Sequence, residues 1–487
     1  MIRAEFTKFR SVRGWVLGLA TAVALFVGMG WLTAAGSFTS CDDQACPSPP
    51  VGPEGQAVED HFGFAHRTLT GDGSLTARVR DFSGIITYPP PNHDEIVDGL
   101  VPWAKAGLIV KSDINPGSPY AAIMLTADHG VRFQHNYVHD AAGPVDARWL
   151  RISRSGADVT AYASADGRNW TTVGTMSGWS GPVRIGFAIA SPPDITAKGN
   201  PMGGSIVQAR FTQASAVFDQ ITSTAGGAWR YDEVGADGLR TDWEKLHRAP
   251  GMTTGSDTLT LTGSGDIAPA TDMRVAPYLA GALPALLAIL VVAVLFITSE
   301  FRRGLIRTTL LASPHRARML AAKAAVIGGV TFAAALIAVV VARPLVSHVF
   351  RANGNFAAPT GLLTDLRLSL GTAALLAATA VCAYALGALL RRGLLAIVLA
   401  VALTVVPYLL ATASVLPVAA GEWLLRLTPA AGFAVQQAFP AYEQVFHPYT
   451  PADGYFPLAP AAGLAVTCLW AAGLLTLATV RLNRADI

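Results

Sequence analysis

The chain contains 487 residues, of which 52% are apolar and only 14% are charged. A typical soluble domain carries about 25% charged residues, so charge is scarce here. The mean hydropathy is +0.40 and the formal net charge is +3. These values exclude an intrinsically disordered chain, which combines low hydrophobicity with high net charge. They also argue against nucleic acid as a partner, because that function needs a concentrated basic surface.

The apolar residues are concentrated in six segments, which we predict to be transmembrane helices. The first is 17–36, and the second half of the chain adds 276–298, 320–342, 368–390, 394–416 and 458–480. Their length is sufficient, since about 20 helical residues cross a hydrocarbon core of about 30 Å. The first segment follows a basic stretch, so a cleaved signal peptide is the alternative there. Its apolar core exceeds the usual length of about 7–15 residues, which favours a retained anchor.

These segments divide the chain into three parts. Residues 1–36 contain an interfacial helix and the first transmembrane helix, 37–275 form one polar domain, and 276–487 form the rest of the membrane domain. Residues 37–275 contain 18 Lys/Arg and 26 Asp/Glu, a net charge of −8, whereas the remainder carries +11. With a cytoplasmic amino terminus, the inner segments carry 14 Lys/Arg and the short outer loops 4. The positive-inside rule therefore predicts a multi-pass cell-membrane protein with cytoplasmic termini and an extracellular region 37–275.

The extracellular region is predicted to be an all-β sandwich inserted between the first two transmembrane helices. Alternating apolar residues predict strands at 62–70, 74–82, 107–111, 120–126, 131–137, 150–154, 159–164, 183–190, 206–211 and 258–262. Short, regularly spaced strands with glycine turns are typical of antiparallel sandwiches. The hairpin that begins at Trp149 and ends in Ser164-Ala165-Asp166-Gly167-Arg168-Asn169-Trp170 resembles concanavalin-like and laminin-G-like jelly rolls over about residues 60–220. Residues 221–275 either close this sandwich or form a stalk.

Motifs for catalysis are lacking in this sequence. It contains no G-x-x-x-x-G-K-[ST], H-E-x-x-H or G-x-S-x-G, so we expect this chain itself not to be an enzyme and to bind no cofactor or metal. His129, His135 and His139 share one strand parity, which fits a metal site less well than a solvated strand edge. Cys41 and Cys46 either form a small extracellular disulfide or stay free. Tryptophans 103, 170 and 179 are predicted to be core residues rather than sugar-stacking platforms.

The loop after the second predicted span carries a recognisable motif. Its sequence contains E-x-x-x-G at 300–304, L-L-x-x-P at 310–314 and a lysine at the start of the third span. This arrangement resembles the cytoplasmic coupling region of type-2 ABC transporter permeases. The resemblance implies an ATPase-coupling loop that transmits motion from a separate ATPase, with Glu300, Arg302, Arg303 and Arg307 as contacts. The predicted residues of this loop are Glu300, Arg302, Arg303, Gly304, Arg307, Leu310, Leu311, Pro314 and Lys323.

Two further segments are similar to the same family. The amino-terminal residues Glu5, Phe6, Lys8, Phe9 and Arg10 resemble its interfacial helix, with both aromatic rings in the headgroup layer. Residues 422–440 resemble its outward re-entrant helices. The resemblance implies a six-span permease subunit of an ATP-driven exporter, which acts as a homodimer or heterodimer. ATP and magnesium would bind to the cytoplasmic ABC ATPase subunit, and the transported substrate is not identified.

A second class of function is consistent with the large extracellular region. In this alternative, the chain is a membrane-anchored protein without transport activity, and its sandwich binds a glycan or another protein. Six spans and the coupling motif favour the permease. An enzymatic extracellular domain ranks third, because no acid–base pair is evident in the sequence.

Overall fold

The computed structural model describes residues 2–40, 48–88, 95–199, 205–235, 249–271, 277–302, 315–413, 415–447 and 449–484. In this part of the chain, six helical segments are long and apolar enough to cross a membrane. The α-helices are α1 Ile2–Ser11, α2 Arg13–Ala35, α3 Ala282–Arg302, α4 Arg316–Ala352, α5 Leu362–Leu390, α6 Gly393–Thr412, α7 Val418–Leu427 and α8 Pro460–Arg484. A short 3₁₀ turn at Pro277–Leu279 precedes α3. The predicted multi-pass membrane architecture is thus confirmed at this level.

Helix α4 is longer than the apolar stretch that predicted it. The prediction covered 320–342, whereas the helix continues to Ala352 and includes Pro344. Beyond the apolar stretch, Arg343 forms an ion pair with Asp365 of α5, and Asn353 Nδ2 donates to Ala34 O at 2.9 Å. Polar contacts at this end therefore extend the helix past the point where hydropathy falls.

Helix α2 is packed into the bundle rather than lying apart from it. Phe26 is fully buried, and a Cβ on Gly281 would lie 1.9 Å from Phe26 O. Only a glycine allows this approach of two backbones, which is a common device in helix packing within membranes. The segment that leads into α3 therefore packs closely against α2.

A segment that is not α-helical is buried among α5, α6 and α8. After α7 the chain forms a 3₁₀ helix at Pro429–Gln436, in which Pro429–Val435 are buried. Two α8 side chains hold this region, since Thr467 Oγ1 donates to Pro429 O and Trp470 Nε1 donates to Leu427 O, each at 2.8 Å. Buried backbone without the regular α-helical bonds needs other partners, and these two side chains supply them for the carbonyl oxygens of Leu427 and Pro429.

The β structure is an antiparallel two-sheet sandwich. The strands are β1 Val58–Asp60, β2 Phe62–Leu69, β3 Gly73–Thr87, β4 Ile96–Asp98, β5 Lys105–Lys111, β6 Tyr120–Thr126, β7 Val131–His135, β8 His139–Ala142, β9 Trp149–Ser155, β10 Asp158–Ser164, β11 Thr171–Ser177, β12 Val183–Ala190, β13 Asp194–Gly199, β14 Ser205–Ser223, β15 Arg230–Val234, β16 Gly251–Thr254, β17 Thr258–Gly263 and β18 Ile267–Pro269. One sheet has the order β15-β2-β12-β5-β6-β7-β8, and the other has β11-β10-β9-β3-β14-β17-β16 with β4 paired to β3 and β13 paired to β14.

The described part of 221–275 belongs to the sandwich. Strand β15 joins the seven-stranded sheet at β2, and β17 joins the other sheet at β14. Strand β18 pairs with β1 and covers the outer face of the seven-stranded sheet. The alternative of a separate stalk is therefore wrong for these residues.

Candidate functional site

Four charged side chains meet where α1 packs against the ends of α3 and α4. Lys323 Nζ donates to Glu5 Oε2 at 2.5 Å and to Glu300 Oε1 at 2.8 Å. Lys8 Nζ donates to the same oxygen of Glu300. We call Glu5, Lys8, Glu300 and Lys323 the four-charge cluster. It joins residues from the predicted interfacial helix and from both ends of the predicted coupling region.

The four-charge cluster is largely removed from solvent. The side chains of Lys323 and Glu300 are 0% and 1% exposed, Glu5 is 11% exposed and Lys8 is 31% exposed. A buried charge without a partner is costly, so two lysines and two carboxylates must stay close together to compensate one another. Within the described residues, Glu300 Oε2 has no hydrogen-bond partner. The cluster is consequently neutral but incompletely bonded.

A group of aromatic side chains packs next to these charges. Lys323 Nζ is 5.6 Å from the centroid of the Phe296 ring, and Phe296 contacts Phe9, Trp15 and Tyr384 with centroid separations of 5.7, 5.0 and 6.3 Å. Such apolar surroundings lower the effective dielectric constant and strengthen the ion pairs. Neither Phe296 nor Tyr384 was predicted as a site residue, because an aromatic residue within an apolar span gives no distinct sequence signal.

Helix α1 has two faces, as its sequence pattern indicates. Glu5 and Phe9, four positions apart, are buried together, while Phe6 and Arg10 are exposed. Phe9 therefore differs from the expectation of a headgroup position, because its ring packs on Phe296 and Trp15. The outward position of Phe6 and Arg10 remains compatible with the membrane surface.

The predicted coupling region is described only at its two ends. Glu300 and Lys323 point into the four-charge cluster, whereas Arg302 is exposed at the last position of α3. The remaining residues of the predicted coupling loop lie outside the described residues: Arg303, Gly304, Arg307, Leu310, Leu311 and Pro314. The same applies to Cys41 and Cys46, the two cysteines of the possible disulfide.

The ends of several other helices lie at the same end of the bundle. Arg316 Nη1 donates to Leu482 O at 2.6 Å, which brings the end of α8 to the start of α4. The Arg391 guanidinium lies 5.2 Å from the centroid of the Phe301 ring, which brings the α5–α6 turn to the end of α3. This end of the bundle therefore concentrates basic side chains around the four-charge cluster.

The remaining sequence candidates lie in the sandwich. The rings of His135 and His139 stack at a centroid separation of 4.3 Å, while His129 stacks on Trp103 at 3.9 Å instead. Among the described residues, no group of three or more His, Cys, Asp or Glu side chains is arranged to hold a metal ion. Trp103 and Trp179 are buried, and the Arg151 guanidinium covers Trp170 at 4.0 Å, which leaves little ring surface for sugar stacking.

Comparison with known proteins gives no family for this chain. No protein-family model matches the sequence, and no curated protein is similar to it. Ten chains of solved structures match. One of them, a functionally unknown protein from Saccharomyces cerevisiae, has 14% identity and a TM-score of 0.19, covering 34% of this chain and 74% of that chain. A TM-score this low does not establish a shared fold.

Proposed function

We propose that this chain is the permease subunit of an ATP-driven exporter of the type-2 ABC class. In this proposal the six long helices form the transmembrane path. A separate cytoplasmic ATPase binds ATP and magnesium and contacts the segment between α3 and α4. Two permease subunits, identical or different, complete the transporter. The chain itself hydrolyses no ATP.

The four-charge cluster carries this proposal. Glu300 and Lys323 flank the segment that the resemblance assigns to the ATPase, and both are ion-paired to α1 or to each other. A push on this segment would shift Glu300 and Lys323 and would act directly on Glu5 and Lys8 of α1. Because buried charges cannot separate cheaply, α1, α3 and α4 would move as a unit. That behaviour is what a coupling device requires.

The same arrangement supports an orientation of the chain in the membrane. The end of the bundle with the four-charge cluster also holds the basic ends of α3, α4 and α8, and a cytoplasmic location of this end agrees with the positive-inside rule. Residues 37–275 would then be extracellular. Gln444 Nε2 donates to Tyr137 O at 3.2 Å, so the sandwich contacts the loop that follows the buried 3₁₀ segment. We infer that the sandwich acts at the outer opening of the path.

A reconstitution experiment tests the proposal. The full chain is placed in nanodiscs with candidate ABC-class ATPases from the same organism, and ATPase binding and ATP hydrolysis are measured. The triple variant Arg302→Glu/Arg303→Glu/Arg307→Glu reverses the charge of the coupling segment. We expect the wild type to bind the ATPase and stimulate hydrolysis, and the triple variant to lose both.

A charge-matched control separates contact from net charge. Arg80, Arg148 and Arg168 are exposed in the sandwich, so their triple replacement by Glu changes the net charge equally. This control is expected to behave as the wild type. If the wild type binds no ATPase, the permease proposal is contradicted, and the membrane-anchored binding protein becomes the better account. If both triple variants bind equally, the assigned contact segment is wrong.

A further inference from the structure

One contact between the sandwich and the membrane domain lies at the turn between β7 and β8. Gln444 Nε2, in the loop that precedes α8, donates to Tyr137 O in this turn at 3.2 Å, and Gln444 is only 4% exposed. Other residues of the same loop, among them Phe439, His447 and Tyr455, line a cavity of about 560 Å³. The turn therefore contacts a loop that forms part of a cavity wall.

The backbone of the β7–β8 turn depends on its neighbours for its shape. Asn136 and Tyr137 have positive φ angles of +48° and +71°. For a bulky residue such as Tyr137 this conformation costs about 1–3 kcal/mol and persists only where the surrounding structure imposes it. Gln56 Nε2 donates to Asn136 O at 2.8 Å, and Tyr137 Oη donates to Asp60 Oδ2 at 2.7 Å. These contacts fix the turn as long as the strands on both sides stay closed.

Two histidines flank the turn. His135 ends β7 and His139 begins β8, the two residues are directly paired, and their rings stack at a centroid separation of 4.3 Å. His139 Nε2 is hydrogen-bonded to Glu54 Oε1 at 2.5 Å, whereas His135 Nδ1 is buried and has no hydrogen-bond partner among the described residues. A protonated imidazole carries a donor on each ring nitrogen. Protonation of His135 would therefore place an unsatisfied donor and a positive charge against its neighbour.

The closed hairpin consequently favours the neutral form of His135. Burial and, to a smaller extent, His139 lower the pKa of His135 to about 4, although Glu54 acts to raise it. A histidine exposed to water has a pKa near 6.5. An open hairpin that exposes His135 therefore becomes more stable relative to the closed one as the pH falls from about 6.5 to 4.

The other charged or titratable side chains nearby are already engaged. Arg132 and Asp140 alternate with the histidines along the two strands, so they lie on the opposite face of the hairpin, where they pair with each other. In the loop before α8, burial and Tyr449 raise the pKa of Tyr442, and Glu54 adds to this effect. Among the described residues, none of these groups offers the histidine pair an unpaired negative charge.

We propose that the β7–β8 turn is an acid-sensitive contact, which holds the loop before α8 at neutral pH and releases it when His135 binds a proton. Protonation opens the hairpin at the histidine pair, and the turn then loses the geometry that presents Tyr137 O to Gln444. The part of the cavity wall that this loop forms becomes free to move. This step needs no ATPase, so its test is independent of the proposed export function.

Hydrogen exchange of the full chain in phosphatidylcholine nanodiscs, at pH 7.5 and 5.0, tests the proposal. Rates are corrected for the pH dependence of intrinsic amide exchange. With a histidine pKa of about 4 in the closed hairpin and about 6.5 in the open one, the open state should be about thirtyfold more populated at pH 5.0 than at pH 7.5. Exchange in the loop before α8 should accelerate together with that of the hairpin. The β9–β10 hairpin contains no histidine and should change by less than about threefold.

The variant His135→Gln removes the titrating group. It should reduce the acceleration in the β7–β8 hairpin and in the loop to less than about threefold. His447→Gln is the matched control, because it removes a histidine from the loop itself, and it should keep the wild-type acceleration. The proposal is overturned if the wild-type hairpin does not respond to pH, if His135→Gln responds as the wild type does, or if His447→Gln alone abolishes the response of the loop.

A second variant covers the case that His135→Gln fails to fold. Gln444→Leu removes the contact with the turn and leaves the histidine pair intact. The hairpin should keep its acceleration of about thirtyfold, whereas the loop should lose its response to pH. A loop that still accelerates at pH 5.0 in Gln444→Leu would contradict the proposal, because its release would not depend on this contact.

Discussion

Lysine side chains are fully buried in both the sandwich and the helical bundle, with different surroundings. Lys111 in the sandwich pairs with one carboxylate, Asp60, and also donates to Ser118 O and Tyr137 Oη. Lys323 in the bundle donates to two carboxylates from two different helices. The sandwich lysine thus bonds to neutral groups as well as to a carboxylate, whereas both hydrogen bonds described for the bundle lysine go to carboxylates.

This difference separates a structural ion pair from a candidate coupling device. Lys105 and Lys111 attach β1 and β18 to the seven-stranded sheet, through Asp266 and Asp60. No segment that is a candidate for partner contact begins at these residues. The four-charge cluster, by contrast, lies where the predicted coupling segment begins and ends. Buried charges occur in both regions, so burial alone does not indicate a function. The segments that a buried ion pair connects are more informative.

The largest effect is expected from removing the shared lysine. Lys323→Met leaves Glu5 without its lysine partner and leaves Glu300 with only the partly exposed Lys8, so two nearby buried carboxylates share one lysine. This should cost about 3–5 kcal/mol of unfolding free energy. Denaturant unfolding in detergent measures this. Arg343→Gln is the control. Arg343 pairs with Asp365 near the other end of α4, and 45% of its side chain is exposed, so this substitution should cost at most about 1 kcal/mol. Equal losses of unfolding free energy in the two variants would show that the ion pairs of Lys323 are no more important for stability than an exposed pair.

The corresponding change in the sandwich should be slightly smaller. Lys111→Met leaves one carboxylate, and Asp60 Oδ2 keeps hydrogen bonds from Tyr137 Oη and Gly117 N. We expect a loss of about 3 kcal/mol in sandwich stability, at the lower end of the range for a broken buried pair. ATPase stimulation by the folded fraction should not change. A loss of ATPase stimulation in Lys111→Met would show that the buried lysine of the sandwich matters for coupling as much as the four-charge cluster does.

Acidic pH should weaken the sandwich through His135. Burial and, to a smaller extent, the neighbouring His139 lower the pKa of His135 to about 4, although Glu54 acts to raise it. The unfolded chain has a histidine pKa near 6.5, so between about pH 6.5 and 4 it binds a proton that the fold does not. Stability therefore falls as the pH falls, by about 1–2 kcal/mol for this residue.

Tryptophan fluorescence of the full chain during denaturation at pH 7.5 and 4.5 measures this change. His135→Gln should reduce the difference between the two pH values. His348→Gln, at an exposed position of α4, should leave it unchanged. An undiminished difference in His135→Gln would contradict the assignment.

The smallest expected effect concerns the contact between the two regions. Gln444→Leu removes the hydrogen bond to Tyr137 O, which should cost about 0.5–1.5 kcal/mol. Hydrogen exchange near the β7–β8 turn should become faster, while the four-charge cluster stays protected. Faster exchange throughout the sandwich would mean that the loop supports the whole domain.

Hydropathy and alternation predicted much of this fold because both are local properties. The β14 prediction, 206–211, was too short, since the strand extends to Ser223 with Ala214, Ala216 and Phe218 buried in alternation. The alternation of apolar and polar residues was hard to recognise beyond 211 because two of the buried positions are small alanines. Strand β11 was missed because its sequence, Thr171–Ser177, is polar and partly exposed.

The site was predictable in part. Glu300, Lys323 and Glu5 were selected from separate segments of the sequence, and the structure brings their side chains together. The ion pair of Lys323 with Glu5 joins positions 318 residues apart, and no local pattern encodes such a pairing.

ATP hydrolysis by the reconstituted complex tests the central claim most directly. The quadruple variant Glu5→Gln/Lys8→Gln/Glu300→Gln/Lys323→Met removes all four charges together and so avoids an uncompensated buried charge. It should fold and bind the ATPase, because the arginines of the coupling segment are unchanged. The account predicts that stimulation of hydrolysis is lost in this variant. Stimulation equal to that of the wild type would contradict a coupling role for the four-charge cluster.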